Sequence, residues 1–235
     1  MLVKTEGIIL KTTKFKETSL IVKAYTQSHG VLSFIVNGVR TEKNSNKAVL
    51  FQALNFLDLI VYYKENKNLL RLKEYKFNTL YQELPFNIVK SSIALLMLEV
   101  IEHTLNEEEE NEDLYEFIKN SFLRLDLVQK GIANFHLYFL LEFMYYKGIQ
   151  AQGKFSFETP YFNIQEGCFT NDSYLNGNLD AKLSEKLSKL LHKEEINLNK
   201  TSRKQLLEKI FLYYRIHIDG FRKIKSLDVL ETVLE

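Results

Sequence analysis

Lys11, Lys14, Lys16 and Lys23 crowd the start of the chain, and Arg40, Lys43 and Lys47 follow in the polar stretch Arg40 to Lys47 (RTEKNSNK). Cations on strand rims and loops suit phosphate, because they give affinity for a polyanion without reading its sequence. Phe15, Tyr25, Phe34, Tyr62 and Tyr63 are candidate platforms for unpaired bases. Strands must bury one face, so most of these rings are expected in a core; Phe15, flanked by Lys14 and Lys16, is the least core-like. A second basic group, Lys200, Arg203, Lys204, Arg222, Lys223 and Lys225, brackets the last long helical stretch. It reads equally as compensation of helix ends and as a polyanion contact, with Arg222, Lys223 and Lys225 the candidates for the latter.

The net charge of +1 hides a sorting of charge along the chain. Residues 1–80 hold 13 Lys and Arg against 6 Asp and Glu, residues 81–130 hold 4 against 11, and residues 200–225 hold 8 against 2. Basic segments suggest polyanions, and the acidic middle suits a basic partner or water.

Catalytic patterns are missing. No glycine-rich dinucleotide, kinase or P-loop turn occurs, and no G-x-S-x-G elbow or H-E-x-x-H pair. His136, between Phe135 and Leu137, reads as structural, and the run Glu107 to Glu110 as a solvated face, since metal sites need converging ligands. The expectation is a protein that is not an enzyme. A single cysteine, Cys168, excludes a disulfide framework and a multi-cysteine metal site. No apolar run approaches the roughly 18 residues of a membrane span, and no signal-like segment opens the chain, so a soluble cytoplasmic protein is expected.

The elements that must position these residues change type near residue 80. Leu2–Leu10, Thr18–Thr26, Val31–Val39, Leu54–Tyr63 and Leu69–Phe77 read as five strands, with a bulge or sharp coil tolerated at Gly7 and a loop over 40–47. The count suits an OB-type barrel and equally an SH3-like one. After Pro85 the period becomes helical: Ile88–Leu105, Leu114–Val128, Ile132–Tyr146, Leu179–His192 and Ser202–Ile218, the last opened by a capping box of Ser202 and Gln205. Between Ile149 and Asn178 glycines and aromatic pieces replace helix signals, and 161–164 with 168–170 read as a hairpin. The expected architecture is α+β: a barrel domain over 1–80 and a helical domain over 81–235 with a small β-hairpin excursion at 149–178.

Glu6-Gly7-Ile8-Ile9-Leu10-Lys11-Thr12, followed by Lys16-Glu17-Thr18-Ser19-Leu20-Ile21-Val22, resembles the opening of the RecO family of recombination mediators. Tyr25 to Ser33 and Asn37-Gly38-Val39-Arg40 continue the likeness, as do Ala133 to Gly148, Tyr161-Phe162 with Glu166-Gly167, and Leu212 to His217. The resemblance selects the OB-fold. It implies a mediator in DNA repair that binds single- and double-stranded DNA, anneals complementary strands and, with RecR, loads RecA onto DNA coated by single-stranded DNA-binding protein. That implies a nucleoid-associated protein, for which the basic residues already singled out, Lys11, Lys14, Lys16, Lys23, Arg40, Lys43, Lys47, Arg222, Lys223 and Lys225, and the ring of Phe15 are the expected DNA contacts. It also implies a site on the helical domain for the acidic C-terminal tail of single-stranded DNA-binding protein. Arg124, beside Phe122, and Lys130 are the best candidates for that tail, because the segment 81–130 offers only four cations. Many family members hold a zinc with four cysteines in the segment matching 149–175; only Cys168 remains here, so neither zinc nor another cofactor is expected. The competing reading is a protein-interaction scaffold whose barrel binds a protein rather than DNA.

Overall fold

The five apolar stretches fold as β1 (Leu2–Phe15), β2 (Ser19–Thr26), β3 (Gly30–Val36), β4 (Phe56–Tyr62) and β5 (Leu70–Thr79). In this computed structural model, which describes residues 1–41, 45–65, 67–105, 110–173 and 177–234, they close as a barrel in the order β1-β2-β3-β5-β4. All pairings are antiparallel except β3 with β5, which is parallel. A ring of paired residues runs Thr13, Ile21, Ile35, Arg71, Tyr62 and re-enters β1 at Leu2, eleven residues from where it left. Such a stagger demands strongly tilted strands and a narrow interior that side chains can fill. Val22, Ala24, Phe34, Leu57 and Val61 fill it. With its hairpin-bearing helical region, the chain is an α+β protein whose N-terminal third is an OB-fold.

β1 serves both ends of the barrel, pairing with β4 through its first half and with β2 through its second. Its register slips between Ile9 and Lys11, which makes Leu10 the bulge residue and leaves Ile8, Ile9 and Leu10 buried in succession. The irregularity expected at Gly7 therefore lies further along. Gly7 answers a different need: a Cβ there would stand 3.1 Å from Leu59 Cδ1 and 3.3 Å from the Tyr25 carbonyl oxygen. The stretch expected as a loop over 40–47 holds the short helix α1 (Ser45–Ala48) in its described part, followed by a 3-10 turn. That turn drives Phe51 into the barrel, where its ring lies 4.7 Å from that of Tyr75. Thr12 Oγ1 donates to the Phe51 carbonyl at 2.6 Å and pins it.

The chain divides into two compact units, Met1–Pro85 with Leu105–Leu127, and Phe86–Thr104 with Val128–Glu235. The division does not follow the chain, because α3 (Glu112–Leu127) packs on the barrel. Tyr115 meets Tyr25 at 5.9 Å and Phe122 meets Phe56 at 6.3 Å. The acidic helix finds its polar partners on the barrel too: Lys119 pairs with Glu6, and Gln27 Nε2 donates to Glu112 Oε1 at 2.9 Å. Asp126, buried near the end of α3, accepts from the backbone N–H groups of Gln82, Glu83 and Leu84 at 2.8, 2.9 and 2.6 Å.

The second unit holds α2 (Ile88–Thr104), α4 (Phe135–Tyr146), α5 (Ala181–Leu191), α6 (Lys200–His217) and α7 (Ser226–Val233), with a hairpin of β6 (Tyr161–Asn163) and β7 (Cys168–Thr170). Asp180 caps α5 by accepting from Leu183 N, and Asn199 caps α6 by accepting from Ser202 N, both at 2.8 Å. The capping box expected at Ser202 is thus displaced: Ser202 lies inside the helix and takes a bond from Lys186 Nζ. Asparagine serves the cap as well as serine does, so the sequence offered two starts within one turn. α7 has no counterpart among the expected helices. It is held by Glu99 of α2, whose carboxylate accepts from Lys225 N, Ser226 N and Ser226 Oγ. Burial opposes the Glu99 charge, but these bonds keep its carboxyl below the ordinary range.

The hairpin excursion is clamped from α6. Tyr213 OH donates to the Ile149 carbonyl at 2.8 Å, and the Phe162 ring lies 5.1 Å from Phe169 and 6.2 Å from Tyr213. Gly167, at φ +70°, fits beneath Tyr213, where a Cβ would stand 2.5 Å from the hydroxyl oxygen. Gly167→Ala is therefore expected to lower stability by about 2–3 kcal/mol, from left-handed strain together with a broken Tyr213 bond. Chemical denaturation would register it as a lower midpoint with an unchanged slope.

Candidate nucleic-acid interface

Strand alternation sorts the basic residues of the barrel between two faces. Lys11, Thr13 and Phe15 share the outward face of β1, and Ser19, Ile21 and Lys23 share that of β2. Lys11 and Lys23 are direct cross-strand partners, and Ser33 of β3 stands next to Lys23 in the same row. A polyanion lying over the row would meet both ammonium groups at once. One row along, half-buried Ile21 and Ile35 lead to Arg71 of β5 and to Tyr62 of β4, both exposed. The outer face of β1, β2, β3 and the start of β5 thus combines three cations with half-exposed apolar and aromatic surface. OB-folds use this β2–β3 face and the adjoining loops to hold oligonucleotides.

Phe15 ends β1 half-buried, and Lys16 follows in the turn at φ +50° with its ammonium 5.5 Å from the Phe15 ring centre. Arg40 braces this turn: its Nη1 donates to the Lys16 carbonyl at 3.2 Å and its backbone N–H to the Thr18 carbonyl at 3.1 Å. Lys14 is exposed at the barrel rim, but alternation turns it away from the row of Lys11. Lys47, exposed in α1, lines a different feature, an open cleft of about 940 Å³ that also takes in Lys4, Lys76, Glu6, Asp58 and Glu74. Lys43 lies outside the described residues, as do Glu107 to Glu109. Among the five candidate aromatic platforms, Tyr25 and Phe34 are wholly buried, the first against α3 and the second in the barrel core. Arg71 escaped the sequence reading, because only the parallel pairing of β3 with β5 carries it beside Ile35.

Arg222, Lys223 and Lys225 are exposed in the second unit, alternating with buried Phe221 and Ile224. The Glu99 cap fixes their segment at Lys225. Arg124 is exposed on α3 and donates from Nη2 to Ser121 Oγ at 3.3 Å. Phe122, expected to offer an aromatic surface beside it, is buried against Phe56 instead. Lys130 is exposed and belongs to the other compact unit.

The hairpin segment does not fit a zinc ion. Its one thiol, Cys168, stands opposite Asn163, with Phe162, Phe169 and Tyr213 around it. Among the described residues no three His, Cys, Asp or Glu side chains gather as a ligand set. Purified protein is expected to carry well under one zinc per chain by elemental analysis, with a melting temperature that a chelator leaves unmoved. No helix among the described residues is long and apolar enough to cross a membrane.

Comparison with known proteins covers both regions. Residues 1–81 match the family model described as "Recombination protein O N terminal", and residues 85–228 match "Recombination protein O C terminal". The "DNA repair protein RecO" of Christiangramia forsetii is 37% identical over 239 residues, 99% of each chain. That of Flavobacterium psychrophilum is 35% identical, again over 99% of each, and that of Bacteroides fragilis 34% identical over the whole of both. An OB barrel, a helical region with a hairpin excursion, and relatives matched from end to end place the chain in one group: it belongs to the recombination protein O family, RecO.

Proposed function

We propose that the protein acts in DNA repair as a recombination mediator: it binds single- and double-stranded DNA and promotes annealing of complementary strands. With RecR it then helps load RecA onto DNA coated by single-stranded DNA-binding protein. The observation that carries this reading is the Lys11–Lys23 cross-strand pair, set with Arg71, Tyr62 and half-buried Ile21 and Ile35 on the outer face of an OB barrel. Cations there neutralise phosphate, and exposed apolar and aromatic surface meets the unstacked bases that only a single strand presents. Annealing needs two strands to approach, and the barrel lowers their repulsion by supplying counter-charge that does not diffuse away. No bond is made or broken in this scheme.

Arg222, Lys223 and Lys225 provide a further phosphate contact; Arg124 in the first unit and Lys130 in the second are each a candidate contact for the acidic tail of single-stranded DNA-binding protein. The turn braced by Arg40 sets Phe15 and Lys16 against the strand. Anisotropy of a labelled single strand, followed across a salt series, tests the reading. Affinity should fall steeply, with log K linear in log salt at a slope of about −0.7 for each phosphate neutralised. A flat response would favour the protein scaffold, whose apolar interface salt hardly touches.

A further inference from the structure

His136 on α4 is fully buried, and among the described residues neither of its ring nitrogens has a hydrogen-bond partner. Buried polar atoms in folded proteins are nearly always paired, so two orphans on one ring point to a missing group. The ring borders a cavity of about 50 Å³, whose other walls are Lys200, Arg203, Lys204 and Leu207 of α6 and Leu230, Glu231 and Leu234 at α7. Among the described residues, three cations and one carboxylate line the cavity, and the carboxylate, Glu231, pairs with Lys204 at 2.9 Å. Arg203 is held in place by two bonds, Nε to Asn134 Oδ1 at 2.8 Å and Nη2 to the Leu198 carbonyl at 3.1 Å. The cations lie on the first turns of α6, where the helix dipole adds positive potential.

We propose that this cavity is a binding site for one small oxyanion, a carboxylate or a phosphate-type group, held by His136, Arg203 and Lys200. Its volume suits such an ion and leaves no room for an aromatic ring. A bound anion would supply acceptors for the ring nitrogens and allow His136 to become doubly protonated, which turns both orphans into donors. In the empty cavity burial, and secondarily the Arg203 charge, holds the His136 pKa down at about 3. Between pH 6.5 and 3 the unfolded chain then binds a proton that the empty folded chain refuses, so stability falls as pH drops through that window. Anion binding reverses the sign locally, because the complex takes up a proton. The Arg203 charge bears on the ring, and Lys200, Lys204 and Glu231 complete the charged lining among the described residues. The inference stands independently of DNA binding by the barrel.

The test uses the full-length protein with sulfate as the phosphate-type probe and acetate as the carboxylate probe, each against chloride at matched ionic strength. Sulfate keeps its charge over the relevant range, so any pH effect belongs to the protein. Millimolar sulfate or acetate should raise the melting temperature above the chloride control, and which of the two acts at lower concentration identifies the oxyanion class. Sulfate affinity should tighten on going from pH 7.5 to 5.5, by up to about tenfold per unit if one full proton is taken up. His136→Leu should fold, since it replaces an unpaired ring by an apolar side chain, and should lose the anion response. Lys200→Ala, at an exposed position and checked to be folded, should weaken it several-fold. Equal anion responses in wild type and His136→Leu, no response beyond chloride, or a sulfate affinity independent of pH would each overturn the proposal.

Discussion

Asp126→Ala is expected to destabilise the protein by about 3–5 kcal/mol, the range for stranding buried partners of a removed charge. The carboxylate is 4% exposed and accepts three successive backbone N–H groups, from Gln82, Glu83 and Leu84. These lie just past β5, so one side chain of α3 fixes the exit of the barrel strand and the seat of the helix together. Alanine leaves all three donors facing a space too confined for full hydration. Asp126→Asn keeps one acceptor and should lose roughly half as much. Equilibrium denaturation reads both losses, and near-equal stabilities of wild type and Asp126→Ala would mean that the three donors find water. The effect should reach DNA binding only through folding, since Asp126 packs inward while the cationic row faces outward.

Much of the barrel was legible because strands announce themselves by composition and by the turns between them. Gln27 to Gly30 and Lys64 to Asn68 interrupt apolar runs with polar and turn-forming residues, and β2 to β5 fall within a few residues of their expected bounds. What the sequence concealed depends on pairing. β1 runs on to Phe15, because the bulge at Leu10 lets a single strand bend across both halves of the barrel. No local pattern separates that from a strand that stops. The same applies to α3: its acidic residues read as a solvated face or a contact for another protein, whereas Glu112 and Lys119 find their partners on the barrel's own Gln27 and Glu6.

The candidate site was legible as a composition and illegible as a surface. Lys11 and Lys23 were found as charge, but their opposition depends on register. Arg71 became part of the site only through the parallel β3–β5 pair. Arg40, expected as a phosphate contact, also braces the turn that carries Lys16, which no local pattern announced. His136 was expected to be structural; only the structure shows the ring buried beside a cavity, with both its nitrogens lacking partners among the described residues.

The second large effect concerns the cationic row itself. Replacing Lys11, Lys23 and Arg71 together by alanine removes three phosphate contacts, and at about 0.7 of slope each that amounts to two units of log K per decade of salt. At about 0.1 M salt the affinity for a single strand should fall roughly a hundredfold, on every sequence, because these groups contact the backbone. Stability should change little, since Lys11, Lys23 and Arg71 lie on the outer face of the barrel and not in its core. The decisive measurement is therefore anisotropy of one labelled single strand with wild type and the triple variant, both shown to be folded, over about 0.05–0.3 M salt. The DNA-binding barrel predicts a shallower line for the variant, by about two units, meeting the wild-type line towards high salt. Parallel lines of equal slope would contradict it and move the nucleic-acid contact off this face of the barrel.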